Sequence, residues 1–180
     1  EDEAAEILYQ ICKNDHMEGN EPKEGKISIR ATMDGVLKIN RVGLKAVNSL
    51  GEMIIATRHG DFPVRAGDQL AATRIIPLII EEEKMKKAKE AAGSAPLLKI
   101  LPYKIKKAAI ITTGSEVYSG RIKDAFGPVI REKLAEYQVT VLSQTIINDD
   151  SKKITEAILK AVEDGAELIA CTGGMSVDPD

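Results

Sequence analysis

Two kinds of hydrophobic spacing divide this chain. Between Lys26 and Ile80 the apolar positions come in short runs (KISIRA, GVLKI, MIIAT, PVRAGDQLAA, TRIIPLII) broken by Gly, Asp and Pro, the spacing of strands. Ile27, Ile29 and Ala31 alternate, which predicts one buried face. Met33-Asp34-Gly35 and Ala66-Gly67-Asp68 supply turn chemistry between strands. A small barrel or sandwich is expected there. Ahead of it, EDEAAEILYQIC spaces Ala5, Leu8 and Cys12 for one face of a helix. Behind it, EEEKMKKAKEAAG opens acidic and turns basic, the order that complements a helix dipole, and Gly93 is placed to end that helix.

Beyond about Lys106 the spacing changes. AAIITT is a buried-strand run, and IKDAFGPVIREKLAEY steps Ile122, Phe126, Ile130, Leu134 and Tyr137 mostly by four, as on one helical face. Pro128 is tolerable in a first turn, and Asp124 is a suitable cap. VTVLS reads as a second strand. After Asn148-Asp149-Asp150, the run SKKITEAILKAVEDG puts Ile154, Ala157, Ile158, Ala161 and Val162 on one face, with Ser151 or Asp150 as cap and Gly165 as stop. ELIAC follows as a third strand. Strand, helix, strand, helix, strand with short connections predicts a parallel sheet with right-handed crossovers.

The predicted organisation is therefore a β-rich leading domain with flanking helices over residues 1–92 and a linker over 93–107, marked by Ser94, Pro96, Pro102 and several lysines. Residues 108–180 then form the first part of an α/β domain. The chain opens without Met inside a helical pattern and closes on the loop-like Ser176-Val177-Asp178-Pro179-Asp180, so further sequence is expected on both sides.

Composition restricts the partners. With 25 basic and 28 acidic residues the net charge is -3, which offers no global attraction to nucleic acid or to an anionic membrane. The apolar stretch from Ile75 to Ile80 is interrupted by Pro77 and is too short to cross a bilayer. Cys12 and Cys171 lie outside disulfide-framework and zinc-ligand spacings, so a reducing cytoplasm is expected. Cys171, ending an apolar strand, is expected to be buried, and the isolated His16 and His59 to lie on the surface or in loops.

Candidate chemistry gathers after the three predicted strands of the second half. In an open parallel sheet, ligands bind beyond the carboxyl ends of the strands. There the chain carries Thr112-Thr113-Gly114-Ser115-Glu116 with Ser119-Gly120-Arg121, then Asn148-Asp149-Asp150, then Thr172-Gly173-Gly174-Met175-Ser176. Glycine lets backbone N–H groups approach an oxyanion closely, and the Thr and Ser hydroxyls add donors, so phosphate is the natural guest. Neither glycine loop has the GxGxxG or GxxxxGK[ST] spacing, which argues against a dinucleotide fold of the usual kind and against a P-loop. Glu116, Asp124, Asp149, Asp150, Asp178 and Asp180 surround the same edge, and one or two carboxylates plus ligand phosphate suit Mg²⁺. Asp124 and Asp150 also serve as helix caps, which leaves Asp149 for the site. Arg121 can pair with phosphate or with a neighbouring carboxylate.

TTGSEVYSGRIKDAF, then NDD, then TGGMSVDPD, in that order, resemble the molybdopterin-binding domain of molybdenum-cofactor biosynthesis proteins. The resemblance implies a three-layer α/β fold that holds the pterin dithiolene phosphate at these loops. It further implies one of two reactions: adenylylation of molybdopterin with Mg-ATP, or hydrolysis of adenylylated molybdopterin with insertion of molybdate. By this resemblance Thr113, Gly114, Ser115, Glu116 and Gly120 belong to the first binding loop, and Thr172, Gly173, Gly174 and Ser176 to the third. The resemblance also implies that Asp149 is a catalytic and metal-holding residue, joined by a second aspartate at Asp180 or just beyond it. The third loop is closer to the insertion branch, and a homo-oligomer is implied. Two other readings stay open: a carrier or sensor that binds the cofactor without converting it, and a nucleotide hydrolase or deamidase of the competence-damage type. The third loop of that last group usually reads Gly-Gly-Leu-Gly-Pro, unlike Gly173-Gly174-Met175-Ser176.

Overall fold

The computed structural model describes residues 1–173. The chain divides into two compact units, Glu1–Tyr103 and Lys104–Asp180.

The first unit runs α1 (Asp2–Cys12), β1 (Met17–Gly19), β2 (Lys26–Ala31), β3 (Gly35–Ile39), α2 (Arg41–Asn48), β4 (Met53–Thr57), β5 (Phe62–Val64), β6 (Gln69–Ile75), α3 (Glu82–Ala92) and β7 (Leu98–Leu101). Its strands form two antiparallel sheets, in the orders β1-β2-β6-β4 and β5-β3-β7. The alternation in β2 points Ile27, Ile29 and Ala31 into the core, where they meet Ala5, Leu8 and Cys12 of α1. Burial there pushes the Cys12 thiol up to about 12, because the thiolate loses its hydration.

Two elements depart from expectation. Helix α2 has a glycine inside it, which disguises it in the sequence. Asn40 starts it by accepting from the Gly43 N–H at 3.0 Å, and a Cβ at Gly43 would strike Leu97, so close packing requires the glycine. Strand β7 lies inside the 93–107 stretch that was expected to be linker. Its Leu98-Lys99-Ile100-Leu101 alternation pairs with β3 and buries Leu98 and Ile100, and the division between units falls after Tyr103. The flanking prolines mask this pattern in the sequence.

The second unit runs β8 (Lys107–Thr113), α4 (Ser115–Tyr118), α5 (Phe126–Glu136), β9 (Thr140–Ile147), α6 (Ser151–Glu163) and β10 (Leu168–Gly173). Its sheet is parallel throughout, in the order β10-β8-β9. Ala108, Ala109, Ile110, Ile111 and Thr112 of β8 are buried in succession, as expected of a central parallel strand covered on both faces. The chain leaves β8 for β9 and then crosses back to β10. With right-handed crossovers, that reversal sets α5 and α6 on opposite faces and gives helix–sheet–helix layers. The same reversal opens a crevice at the carboxyl end of β8. Register sharpens it: Thr113 is paired with both Ile147 and Gly173, so the three strands end level.

Candidate functional site

At that level edge lies a cleft of about 510 Å³, lined by Thr112, Thr113, Gly114, Ser115, Glu116, Val117, Ile122, Lys123, Asp124, Ala125, Phe126, Asp149 and Gly173. This volume suits a small molecule. The first loop leaves β8 through Gly114, whose φ of 136° is open to glycine but strained for other residues. The Gly114 N–H donates to the Ile147 carbonyl at 3.1 Å, so the loop is tied to the end of β9.

Asp149 is drawn to the same loop. Its Oδ2 accepts from the Ser115 N–H at 3.0 Å and from the Ser115 hydroxyl at 3.1 Å. Asp150 faces away to its own helix, accepting from the N–H groups of Lys152 and Lys153 at 2.9 and 3.3 Å. Of the two caps offered by the sequence, Ser151 and Asp150, the chain uses Asp150, and that leaves Asp149 free to reach the cleft. The preceding Asn148 has a buried side-chain oxygen without a hydrogen-bond partner among the described residues.

Asp124 combines capping with a second role. Its Oδ1 accepts from the N–H groups of Phe126 and Gly127 at 3.1 and 2.9 Å, while Oδ2 accepts from Gln144 Nε2 at 2.7 Å and Thr112 Oγ1 at 3.3 Å. One carboxylate thus joins β8, β9 and the start of α5. Gly127 is glycine because a Cβ there would run into both Asp124 and Gln144. Helix α5 accordingly begins at Phe126, just past the expected cap Asp124 and with Pro128 in its first turn. Ile122 precedes it, and Ile122 and Phe126 are exposed in the cleft, whereas Ile130 and Leu134 are half-buried.

The first-loop residues Thr113, Gly114, Ser115 and Glu116 therefore converge with Asp149 and Gly173. Gly120 does not line the cleft; its φ of 74° and its N–H bond to the Val117 carbonyl make it the stop of the short helix α4. Thr172 sits beside Thr112 in the sheet and is not among the lining residues. Gly174, Ser176 and Asp180 lie outside the described residues. The expectation for Cys171 is corrected: it is exposed, because β10 is an edge strand, not a covered central one. Sequence reasoning missed Lys123, Phe126 and Gln144. The only signal for the first two was their place at the junction of the first loop with the start of α5.

Residues 109–180 match the family model described as "probable molybdopterin binding domain". This part of the chain is similar to that family. The chain is also similar to a CinA-like protein of Mycobacterium avium (strain 104), 35% identical over 74 residues, which make up 41% of this chain and 17% of that protein. A CinA-like protein of Mycobacterium sp. (strain JLS) is likewise 35% identical over 74 residues, 41% of this chain and 18% of its own length. The chain thus spans less than a fifth of the length of these curated relatives. Among solved structures, CinA from Thermoplasma acidophilum, described as of unknown function, aligns with TM-score 0.38 and 27% identity over 41% of this chain and 43% of its own. The molybdopterin biosynthesis MoeA protein of Pyrococcus horikoshii OT3 aligns with TM-score 0.33 and 13% identity over 97% of this chain and 66% of its own.

Among the described residues no helix is long and apolar enough to cross a membrane. Nor is any group of three or more His, Cys, Asp or Glu side chains among them arranged for a metal ion.

Proposed function

We propose that this chain acts in molybdenum-cofactor assembly, binding molybdopterin by its phosphate and inserting molybdate into the adenylylated form. The observation that supports it most is the meeting of Asp149 with the Thr113-Gly114-Ser115 loop inside one cleft at the ends of three parallel strands. The family match over residues 109–180 supports the pterin as ligand.

In this reading the Thr113 hydroxyl and the loop backbone take the phosphate, and Lys123 in the same cleft offsets its charge. Asp149, restrained by Ser115, acts at the reacting end together with Asp180 or a residue beyond it. Mg²⁺ fits this donor set, since it is commonly held by one or two carboxylates with the remaining positions filled by phosphate and water. The ion would supply charge neutralisation at the phosphate oxygens. A cytoplasmic homo-oligomer completes the proposal. Molybdopterin adenylylation with Mg-ATP and simple carriage of the cofactor remain as alternatives.

The test is Asp149→Asn in the full-length protein, assayed for turnover of adenylylated molybdopterin with molybdate. Turnover should fall by roughly two orders of magnitude or more while pterin affinity stays within a few-fold, since the substitution removes a charge and keeps the shape. Unchanged turnover removes Asp149 from the chemistry; binding without turnover in the wild type leaves a carrier or sensor. A second reading, from the sequence resemblance, is a nucleotide hydrolase or deamidase of the competence-damage type that takes a nucleotide in the same cleft. Comparing the adenylylated pterin with a nucleotide that lacks a pterin separates the two.

A further inference from the structure

Phe126 lines the cleft with 60% of its surface exposed, although it is one of only two phenylalanines in the chain. The other, Phe62, packs edge-on against His59 with centroids 5.2 Å apart. No ring contact is made by Phe126 among the described residues, so it contributes little to the core of its own unit. Its backbone, in contrast, is held firmly: the Phe126 N–H is bonded to Asp124, and that carboxylate is fixed in turn by Gln144 and Thr112. Ile122 and Val117 line the same cleft as Phe126, so the site has an apolar portion beside the polar loop and Asp149.

We propose that Phe126 is the platform on which the flat ring system of the ligand lies, and is therefore a specificity-determining residue of the cleft. The proposal rests on the molybdopterin reading above and adds the part of the ligand that the phosphate-binding loop leaves unrecognised. A phosphate alone gives little selectivity, because any phosphorylated metabolite carries one. An aromatic face anchored on a fixed helix start selects a planar heterocycle, loses little entropy on binding and gains from stacking. The Asp124 bonds are then the means by which the fold presents that face in a set position.

The experiment is a fluorescence titration of the full chain with molybdopterin, with an oxidised pterin that lacks phosphate, and with inorganic phosphate as a competitor. Phe126→Ala should weaken both pterins by about tenfold, in the range of one aromatic stacking contact, and leave phosphate competition unchanged. Phe126→Trp should restore the affinity; Phe126→Leu, which keeps apolar bulk without an aromatic face, should not. Sedimentation of the same variants examines a second copy of the chain as the occupant. Pterin affinity within twofold of wild type in the Ala and Leu variants overturns the platform while leaving the molybdopterin reading intact. A drop in oligomeric mass at unchanged affinity overturns it in favour of an interface. A wild type that responds to phosphate and to neither pterin overturns both readings together.

Discussion

Ser115 donates both its backbone N–H and its hydroxyl to a single oxygen of Asp149, a residue 34 positions further along the chain. The contact joins the loop after β8 to the loop after β9 and fixes where the Asp149 carboxylate sits. Hydrogen bonds to a charged acceptor contribute about 1.5–3 kcal/mol when they are made in full.

Removing only the hydroxyl bond therefore tests positioning apart from binding. Ser115→Ala should lower turnover of the adenylylated pterin by about tenfold while shifting KM by no more than a few-fold, and Ser115→Thr should recover most of the loss. Combined with Asp149→Asn, Ser115→Ala should add almost nothing, because the two residues act through one contact. Steady-state kinetics on the four proteins measures this, and additive losses would show that Ser115 acts independently of Asp149.

Gly173 occupies a position with no room for a side chain. Its φ is 97°, and a Cβ would run into the Thr113 carbonyl at the end of the neighbouring strand. Gly173→Ala should destabilise the second unit by about 1–3 kcal/mol and loosen the end of β8. Gly120 provides the control: its φ is also positive, 74°, but its surroundings are open, so Gly120→Ala incurs only the backbone strain of about 1–2 kcal/mol. Denaturant titration followed by circular dichroism, with hydrogen exchange at Ile111 to Thr113, reads both effects. Equal losses for the two variants would mean that the contact with Thr113 does not matter.

The entry to the same sheet carries a pH signature. Glu167 accepts from the backbone N–H groups of Lys106 and Lys107 at 2.6 and 3.2 Å, and these bonds hold its carboxyl below the usual glutamate range. A lowered folded pKa stabilises the native state fully above the unfolded value, about 4.3, and the contribution fades as pH falls through the folded value. Glu167→Gln should therefore lower stability at neutral pH, with the gap between variant and wild type closing in acid. Denaturant midpoints at pH 7 and at about pH 3 compare them; a gap that persists in acid would assign the effect to geometry and not to charge.

Much of the second unit could be read in advance because its signals are local. Three apolar strand runs, the spacing of Ile154, Ala157, Ile158 and Ala161, and a cap at Asp150 depend on neighbours a few residues away, although Val162, expected on the same face, is exposed. The alternation of Ile27, Ile29 and Ala31 and the helical face of Ala5, Leu8 and Cys12 were legible for the same reason, and all six are buried. Periodicity follows from backbone geometry, so a sequence displays it directly.

Pairing between distant segments was decided by tertiary structure. Leu98–Leu101 looked like linker until β3 supplied hydrogen-bond partners, and α2 lies inside a stretch read as strand-rich, with its Gly43 close against Leu97. Ile122 and Phe126 fitted the hydrophobic stepping of a core-facing helix, yet Ile122 lies ahead of the Asp124 cap and both side chains are exposed in the cleft. Cys171 had a core composition around it and an edge position in fact. The sequence alone marked the three loops rich in glycine, hydroxyl and carboxylate residues, after Thr112, after Ile147 and after Cys171. Only the fold determined which of them meet, because the level ending of Thr113, Ile147 and Gly173 is a property of strand register, and register is set by contacts between residues far apart in the chain.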